Sequence, residues 1–341
     1  MAAGERALVT GASGFIGGAV VRKLLADGFD VRALVRKASP RDNIPASCEI
    51  AEGDVTDVAS VRRAMAGTDV LFHLAANYRL WTPDPERVMG VNVRGTEIVM
   101  REAFRAGVKR IVHTSSVATL APEGDAPCTE QNRLSPERAV GAYKRSKILS
   151  ERLVEELVKN HGLPAVIVCP SAPLGSGDLK PTPTGRIVAE ALRGGIPAYV
   201  DTGLNIAHVE DVAAGHVAAL RYGEIGERYI LGGENLTLQE LLIEISRVSG
   251  RAPPLVKLPY WPLIPLAYAN EIRARFVGSE PFLNRDSLRL STVRMFVDDS
   301  KARRELNYQT RPAAVAIAAA VRWFGADAVE RRGRRTVCGA S

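Results

Sequence analysis

The 341-residue chain is 46% hydrophobic and 24% charged, the balance of a folded, water-soluble protein with one large domain or two interleaved lobes. Its net charge of +7 is too diffuse for a nucleic-acid surface, and part of it lies in the C-terminal Arg331, Arg332, Arg334 and Arg335. Four scattered cysteines (Cys48, Cys128, Cys169, Cys338) form no C-x-x-C pair, no leader-like segment precedes the first strand, and no apolar run reaches the ~18 residues of a membrane span. A cytoplasmic protein without a metal site or disulfide framework is expected.

Strand and helix signals alternate from the start. Residues 7–10 are an apolar strand that breaks into Gly11-Ala12-Ser13-Gly14-Phe15-Ile16-Gly17. A helix follows, with Val21, Leu24 and Leu25 on its buried stripe and Asp27-Gly28 as its stop. Further strands are expected at 31–35, 48–53, 69–75, 110–114 and 165–169. A helix begins near Pro85 and carries Val99, Ala103 and Phe104, and another carries Leu149, Leu153, Val154 and Leu157. Strands separated by helices predict an α/β fold, a doubly wound parallel (Rossmann) sheet covered on both faces.

After Pro170 the segment 171–197 is rich in Pro and Gly and is expected to be a long loop lining a site. Strand signals return at 205–208 and 227–231, with Asp211 the expected cap of a helix through Val217. Thr237-Leu-Gln-Glu240 is a capping box for a helix to Val248, and the last helix spans about 312–324. The expected organisation is a nucleotide-binding domain of residues 1–175 and about 203–232. Residues 176–202 and 233–324 form a smaller substrate lobe, and 325–341 a loose basic tail.

The glycine turn between a strand and a helix suits a dinucleotide pyrophosphate, which backbone amides and a helix N-terminus can hold. Gly11, Ser13, Gly14, Phe15, Ile16 and Gly17 are its candidate residues. A side chain at Gly11 would obstruct the turn, one at Gly14 would hold the backbone off the phosphates, and one at Gly17 would keep the helix off the sheet. The second strand ends in Arg36-Lys37 rather than in an acid. These cations suit the 2′-phosphate of NADP, while Asp30 precedes the strand at the wrong end for a ribose contact. NADP is therefore expected over NAD.

Tyr143 and Lys147, four apart on a helix, share a face, and a nearby ammonium would lower the phenol's pKa toward a useful acid/base range. Thr114-Ser115-Ser116 ends the fifth strand, where open α/β sheets place their ligands, and a serine there can bond a substrate oxygen. Strand-end capping is the alternative role for these hydroxyls.

Gly11-x-x-Gly14-x-x-Gly17, Asp54-Val55, Leu74-Ala75-Ala76, Thr114-Ser115-Ser116 and Tyr143-x-x-x-Lys147 appear in that order. Together they resemble the extended short-chain dehydrogenase/reductases (the NAD-dependent epimerase/dehydratase family) across residues 5–324. The chain is similar to their dihydroflavonol reductase-like branch. Asn77-Tyr-Arg-Leu-Trp81, Pro83-Asp-Pro85, Lys180-Pro-Thr-Pro-Thr-Gly-Arg186 and residues 197–208 resemble a bacterial group named hopanoid-associated sugar epimerases.

The resemblance implies roles. Ser116 polarises a carbonyl, Tyr143 exchanges its proton, and Lys147 lowers the tyrosine pKa and binds ribose. Phe15 and Ile16 cover the pyrophosphate, and Asp54 and Val55 lie against adenine. Ala75 and Ala76 pass the ribose, Asn92 sits behind the nicotinamide, Thr114 belongs to the cofactor set, and Pro170 and Ser171 frame the nicotinamide amide. Tyr78, Arg79 and Trp81 beyond the fourth strand, with Lys180 and Arg186 in the Pro-rich segment, are the candidate substrate residues.

The function this implies is an NADPH-dependent reductase of a ketone or aldehyde, in hopanoid or related lipid or sugar metabolism. The alternatives are an NAD-dependent sugar (nucleotide) epimerase acting by transient oxidation and a non-catalytic NADP-binding sensor or scaffold. Relatives imply a homodimer through helices near 86–106 and 143–159. The Pro-broken apolar stretch 258–269, beside Arg273 and Arg275, could meet a lipid surface, unless Trp261 and Leu263 pack within the substrate lobe.

Overall fold

The computed structural model describes residues 4–79, 81–124, 126–277, 281 and 284–337. Cys338, the side chains of residues 275–277, 287 and 290, and those from 327 onward, with the tail arginines, lie outside the described residues. The apolar runs and amphipathic helices of the first half form β1 (Arg6–Thr10), α1 (Phe15–Ala26), β2 (Asp30–Val35), β3 (Glu49–Glu52), α2 (Val58–Met65) and β4 (Val70–His73). These are followed by α3 (Pro85–Met89), α4 (Gly95–Arg105), β5 (Arg110–Thr114), α5 (Gly141–His161) and β6 (Ala165–Pro170). A single π-helical turn, Gly90–Arg94, joins α3 to α4.

The second half contains β7 (Ala172–Leu174), α6 (Pro183–Arg193), β8 (Ala198–Tyr199), β9 (Gly203–His208), α7 (Val209–Tyr222), β10 (Arg228–Leu231) and β11 (Glu234–Thr237). It continues with α8 (Leu238–Ser249), β12 (Val256–Lys257), α9 (Leu263–Val277), α10 (Arg285–Leu290), β13 (Arg294–Met295), α11 (Ser300–Leu306) and α12 (Ala313–Val337).

Seven parallel strands form one sheet in the order β10-β6-β5-β4-β1-β2-β3. The chain reverses direction across the sheet between β1 and β4, the position where doubly wound sheets open a crevice. One face carries α1 and α7 over Val9, Val20, Leu24, Val212 and Val217. The other carries α2, α4 and α5 over Leu8, Leu71, Met100, Ile111 and Val154. Both layers are therefore covered, as parallel strands require.

Several elements differ from the sequence reading. The Pro-rich segment is not one long loop: β7 pairs with β9, and α6 starts where Thr182 caps the amide of Gly185 and Pro183 occupies the first turn. β9 lies at the centre of a small sheet with β11, β13 and β7 rather than beside the nucleotide-binding strands. His208, not Asp211, caps α7, and Asp211 instead pairs with Arg311. The backbone of the last helix continues through Gly325 to Val337. Cys48, Cys128 and Cys169 are buried free thiols. Among the described residues no helix is long and apolar enough to cross a membrane.

Three histidines lie inside the sheet layers. His73 bridges Thr10 (2.7 Å) and Thr96 (3.0 Å), His113 stacks on His73 at 5.5 Å, and His216 meets Thr114 at 3.0 Å. Burial holds His73 down to about 3 and His216 to about 4, and lowers His113 as well. The unfolded chain takes up protons first as pH falls, so this stability is complete above about pH 6.5 and is lost below it. With the slope approaching about 1.4 kcal/mol per pH unit for each group only below pH 6.5, His73 and His216 together should remove about 3 kcal/mol between pH 6.5 and 5. Denaturant melts at pH 7 and 5 measure this loss, and an unchanged midpoint would contradict it.

Candidate functional site

β1 ends in Gly11 at φ +73, a left-handed turn that brings the chain against the segment after β4. A Cβ there would lie 2.7 Å from the Ala75 amide nitrogen. A Cβ on Gly17 would stand 2.1 Å from the Gly11 carbonyl oxygen, so Gly17 lets α1 sit on the turn itself rather than on the sheet. At Gly14 an added Cβ would approach only the Gly11 oxygen, at 3.1 Å, which leaves its other side open. Gly14 begins α1 without any side-chain cap, so the first-turn amides of Phe15, Ile16 and Gly17 point outward without acceptors from a capping residue. Open backbone and uncapped amides fit a pyrophosphate.

Arg36 and Lys37 follow β2 at the same edge of the sheet and are exposed. Asp30 starts β2 at the far end and is engaged by Arg6 at 2.8 Å. Asp54 receives bonds from the amide (2.9 Å) and hydroxyl (2.7 Å) of Thr56, and buried Val55 packs against Gly95. The Ala75 amide donates to the Thr10 hydroxyl at 3.2 Å, and Ala76 is half-buried beside it. At the end of β6, the Ser171 hydroxyl follows Pro170 and is buried with no hydrogen-bond partner in the chain. An orphaned polar atom at this strand end fits an incoming amide.

Successive residues after β5 face different ways. The Thr114 hydroxyl turns to His216 in α7, Ser115 donates to Glu151 in α5, and the half-buried Ser116 is hydrogen-bonded to the Tyr143 phenol. Only Ser116 of the three presents its hydroxyl to Tyr143, and Thr114 contributes its carbonyl, which accepts from Lys147 Nζ at 2.7 Å. Ser116 also accepts the Ala118 amide at 3.1 Å, which fixes its rotamer.

The titration of Tyr143 departs from the sequence expectation. Burial pushes the phenol above its ordinary value, the Ser116 hydrogen bond opposes this, and Lys147 is not among the causes. Lys147 is itself lowered to about 8, mainly by burial, with Glu151 one turn further along α5 raising it.

The Asn92 amide nitrogen donates to the Asn77 carbonyl (3.0 Å) and the Ser146 hydroxyl (2.8 Å), and its oxygen accepts the Asn77 amide (2.7 Å). These three bonds brace the segment after β4 against α5.

Of the substrate candidates, the Tyr78 hydroxyl reaches the Lys180 carbonyl at 3.0 Å, joining the segment after β4 to the segment after β7. Trp81 is half-buried, Arg79 and Lys180 are exposed, and Arg186 lies in the first turns of α6.

A family model described as the NAD dependent epimerase/dehydratase family matches residues 7–232. The chain belongs to this family. It is similar, at 41% identity over 93% of both chains, to a Synechocystis sp. protein provisionally named dihydroflavonol 4-reductase. It is also similar, at 34% identity over 93% of this chain and 97% of the other, to sterol demethylase protein B of Methylococcus capsulatus. The crystal structure of gox2253 superposes with a TM-score of 0.85 at 46% identity, covering 95% of this chain and 98% of that one. The chain is thus an enzyme of the extended short-chain dehydrogenase/reductase type with a nucleotide-binding fold.

Within this epimerase/dehydratase framework lies a buried network that the sequence reading missed. Arg228 of β10 pairs with Glu151 at 3.0 Å and donates to the Glu130 carbonyl (2.8 Å) and the Thr119 hydroxyl (3.0 Å). Tyr143, Lys147 and Glu151 form one stripe at spacing four, so Glu151 was within reach of the same argument that paired the first two. Asn43, between β2 and β3, donates to the Gly177 carbonyl at 2.8 Å and had no pattern to announce it.

The Glu151 and Arg228 side chains are 6% and 3% exposed, so removing one leaves its partner buried without a counter-charge. Glu151→Ala should therefore cost about 3–5 kcal/mol of stability. Denaturant titration tests this, and a loss below about 1 kcal/mol, the range of an exposed pair, would contradict it.

Proposed function

We propose that this enzyme is an NADPH-dependent reductase of a ketone or aldehyde. The observation that carries the reading is the hydrogen-bonded Ser116–Tyr143 pair, one helical turn from Lys147. When bound, the reduced nicotinamide supplies the hydride that ends on the carbonyl carbon. Ser116 and Tyr143 offer two hydroxyls to the carbonyl oxygen, and the Tyr143 proton converts the developing alkoxide to an alcohol. Lys147, fixed by the Thr114 carbonyl, steadies the phenolate left behind, and solvent restores the proton. The open glycine turn, the uncapped α1 amides and the orphaned Ser171 hydroxyl support nicotinamide dinucleotide binding by these residues.

Exposed Arg36 and Lys37, with Asp30 held away by Arg6, support NADPH over NADH. Tyr78 and Trp81, together with the reductase- and sterol-named relatives, support a carbonyl on a lipid-like skeleton. Phe104, exposed on α4, supports a homodimer through α4 and α5. A second reading, epimerisation by transient oxidation, has the family's NAD-dependent description in its favour. An epimerase would need no added cofactor, whereas this reductase consumes one NADPH per alcohol formed.

Two outcomes test the reading. Arg36→Ala should weaken NADPH binding about tenfold or more, the worth of a charged hydrogen bond, and leave NADH nearly unchanged. Equal effects on both cofactors would contradict the NADPH assignment. Because Tyr143 lies above its ordinary value and Lys147 at about 8, the alkaline limb belongs to the lysine. Reductive kcat/KM should fall as pH rises through about 8, and a limb near 10 or above would contradict this role for Lys147.

A further inference from the structure

We propose that α9 and the segment leading into it dock the protein on the surface of an anionic lipid bilayer. Large apolar side chains cluster here in the open. Leu255 is 85% exposed, Trp261 71% and Ile272 59%, and Ile264, Leu266 and Tyr268 are exposed as well. The helix buries two alanines and its one acid, Ala267, Ala274 and Glu271, while the larger apolar Ile264, Tyr268 and Ile272 form an exposed stripe at spacing four. An ordinary surface helix has the opposite arrangement. The alternative, that Trp261 packs within the substrate lobe, does not hold at this exposure.

The charge around this face selects the occupant. Residues 251–294 carry seven Lys and Arg against three Asp and Glu, a net of +4 out of +7 for the whole chain. The one acid of α9, Glu271, is buried and neutralised by Arg285 at 2.8 Å, and Arg285 also lies over the Tyr268 ring at 4.5 Å. Asp201 engages Lys257 and Arg294, and Arg251, Arg273 and Arg289 are exposed. A second copy seated on this face by two-fold symmetry would set positive charge against positive charge. An anionic headgroup layer neutralises it, and the indole and aliphatic side chains reach the acyl boundary below. Tryptophan beside arginine at the rim of an apolar helix is the side-chain set of a surface-lying helix.

The test is co-sedimentation of the full chain with vesicles of phosphatidylcholine, with and without phosphatidylglycerol. Binding should be at least about tenfold stronger to the phosphatidylglycerol vesicles and should fall with added salt. The exposed-site triple variant Trp261→Ser, Leu266→Ser, Ile272→Ser should lose at least about tenfold in partitioning while its NADPH titration is unchanged. Wild-type protein that stays in the supernatant with anionic vesicles overturns the proposal, as does a triple variant that still binds. If the triple variant instead converts a dimer to a monomer in sedimentation velocity and vesicles bind neither form, the face is a self-interface and the proposal falls.

Discussion

A lysine ammonium resists removal from water, and the interior of this protein holds one. Lys147 is 4% exposed, and its value of about 8 corresponds to a cost of about 3 kcal/mol for keeping it charged at neutral pH. Its charge is supported by the Thr114 carbonyl at 2.7 Å and by Glu151 one turn along α5. The contact with the Thr114 carbonyl draws α5 onto the end of β5. That single alignment sets Tyr143, one turn earlier, beside Ser116, and it sets Ser115 against Glu151. Arg228 then ties Glu151 to β10 at the edge of the sheet, so the site's geometry is anchored across three strands and a helix.

The second constraint is steric. The turn after β1 tolerates no side chain at Gly11 or Gly17, because backbone atoms already occupy the space. At Gly14 the space beyond the backbone is open instead, apart from the Gly11 oxygen. Two contacts carry this cradle's position into the smaller lobe: Asn43 to the Gly177 carbonyl, and Tyr78 to the Lys180 carbonyl. Both receiving residues lie in the segment between β7 and α6, which therefore lies against the β2–β3 connection and the segment after β4 together.

Much of this was legible in the sequence where the signal is local. The parallel sheet follows from apolar runs separated by helices, and the Tyr143–Lys147 face follows from helical spacing. What was not legible depends on distant partners. Glu151 and Arg228 are 77 positions apart in the chain, and the pairing that makes them a network exists only once β10 joins β6. The three hydrogen bonds by which Asn92 ties the segment after β4 to α5 likewise join residues 15 and 54 positions away in the chain. Clustered Pro and Gly over 171–197 point to a loop, since neither suits a helix interior. Here Thr182 and Pro183 supply a cap and a first turn. Helical spacing puts a lysine on the Tyr143 face, but it is burial that sets the phenol's direction, upward, with the Ser116 hydrogen bond opposing it.

In the proposed reductase the cofactor arrives reduced and leaves oxidised, with Arg36 and Lys37 its candidate contacts at one end and Tyr143 at the other. Native mass spectrometry of the protein purified without added nucleotide, before and after incubation with NADPH and NADH, addresses this claim most directly. The account predicts a chain that exchanges its nucleotide freely and takes up NADPH in preference to NADH. A chain that retains one equivalent of NAD through purification and does not exchange it for NADPH would contradict the reductase assignment and favour epimerisation.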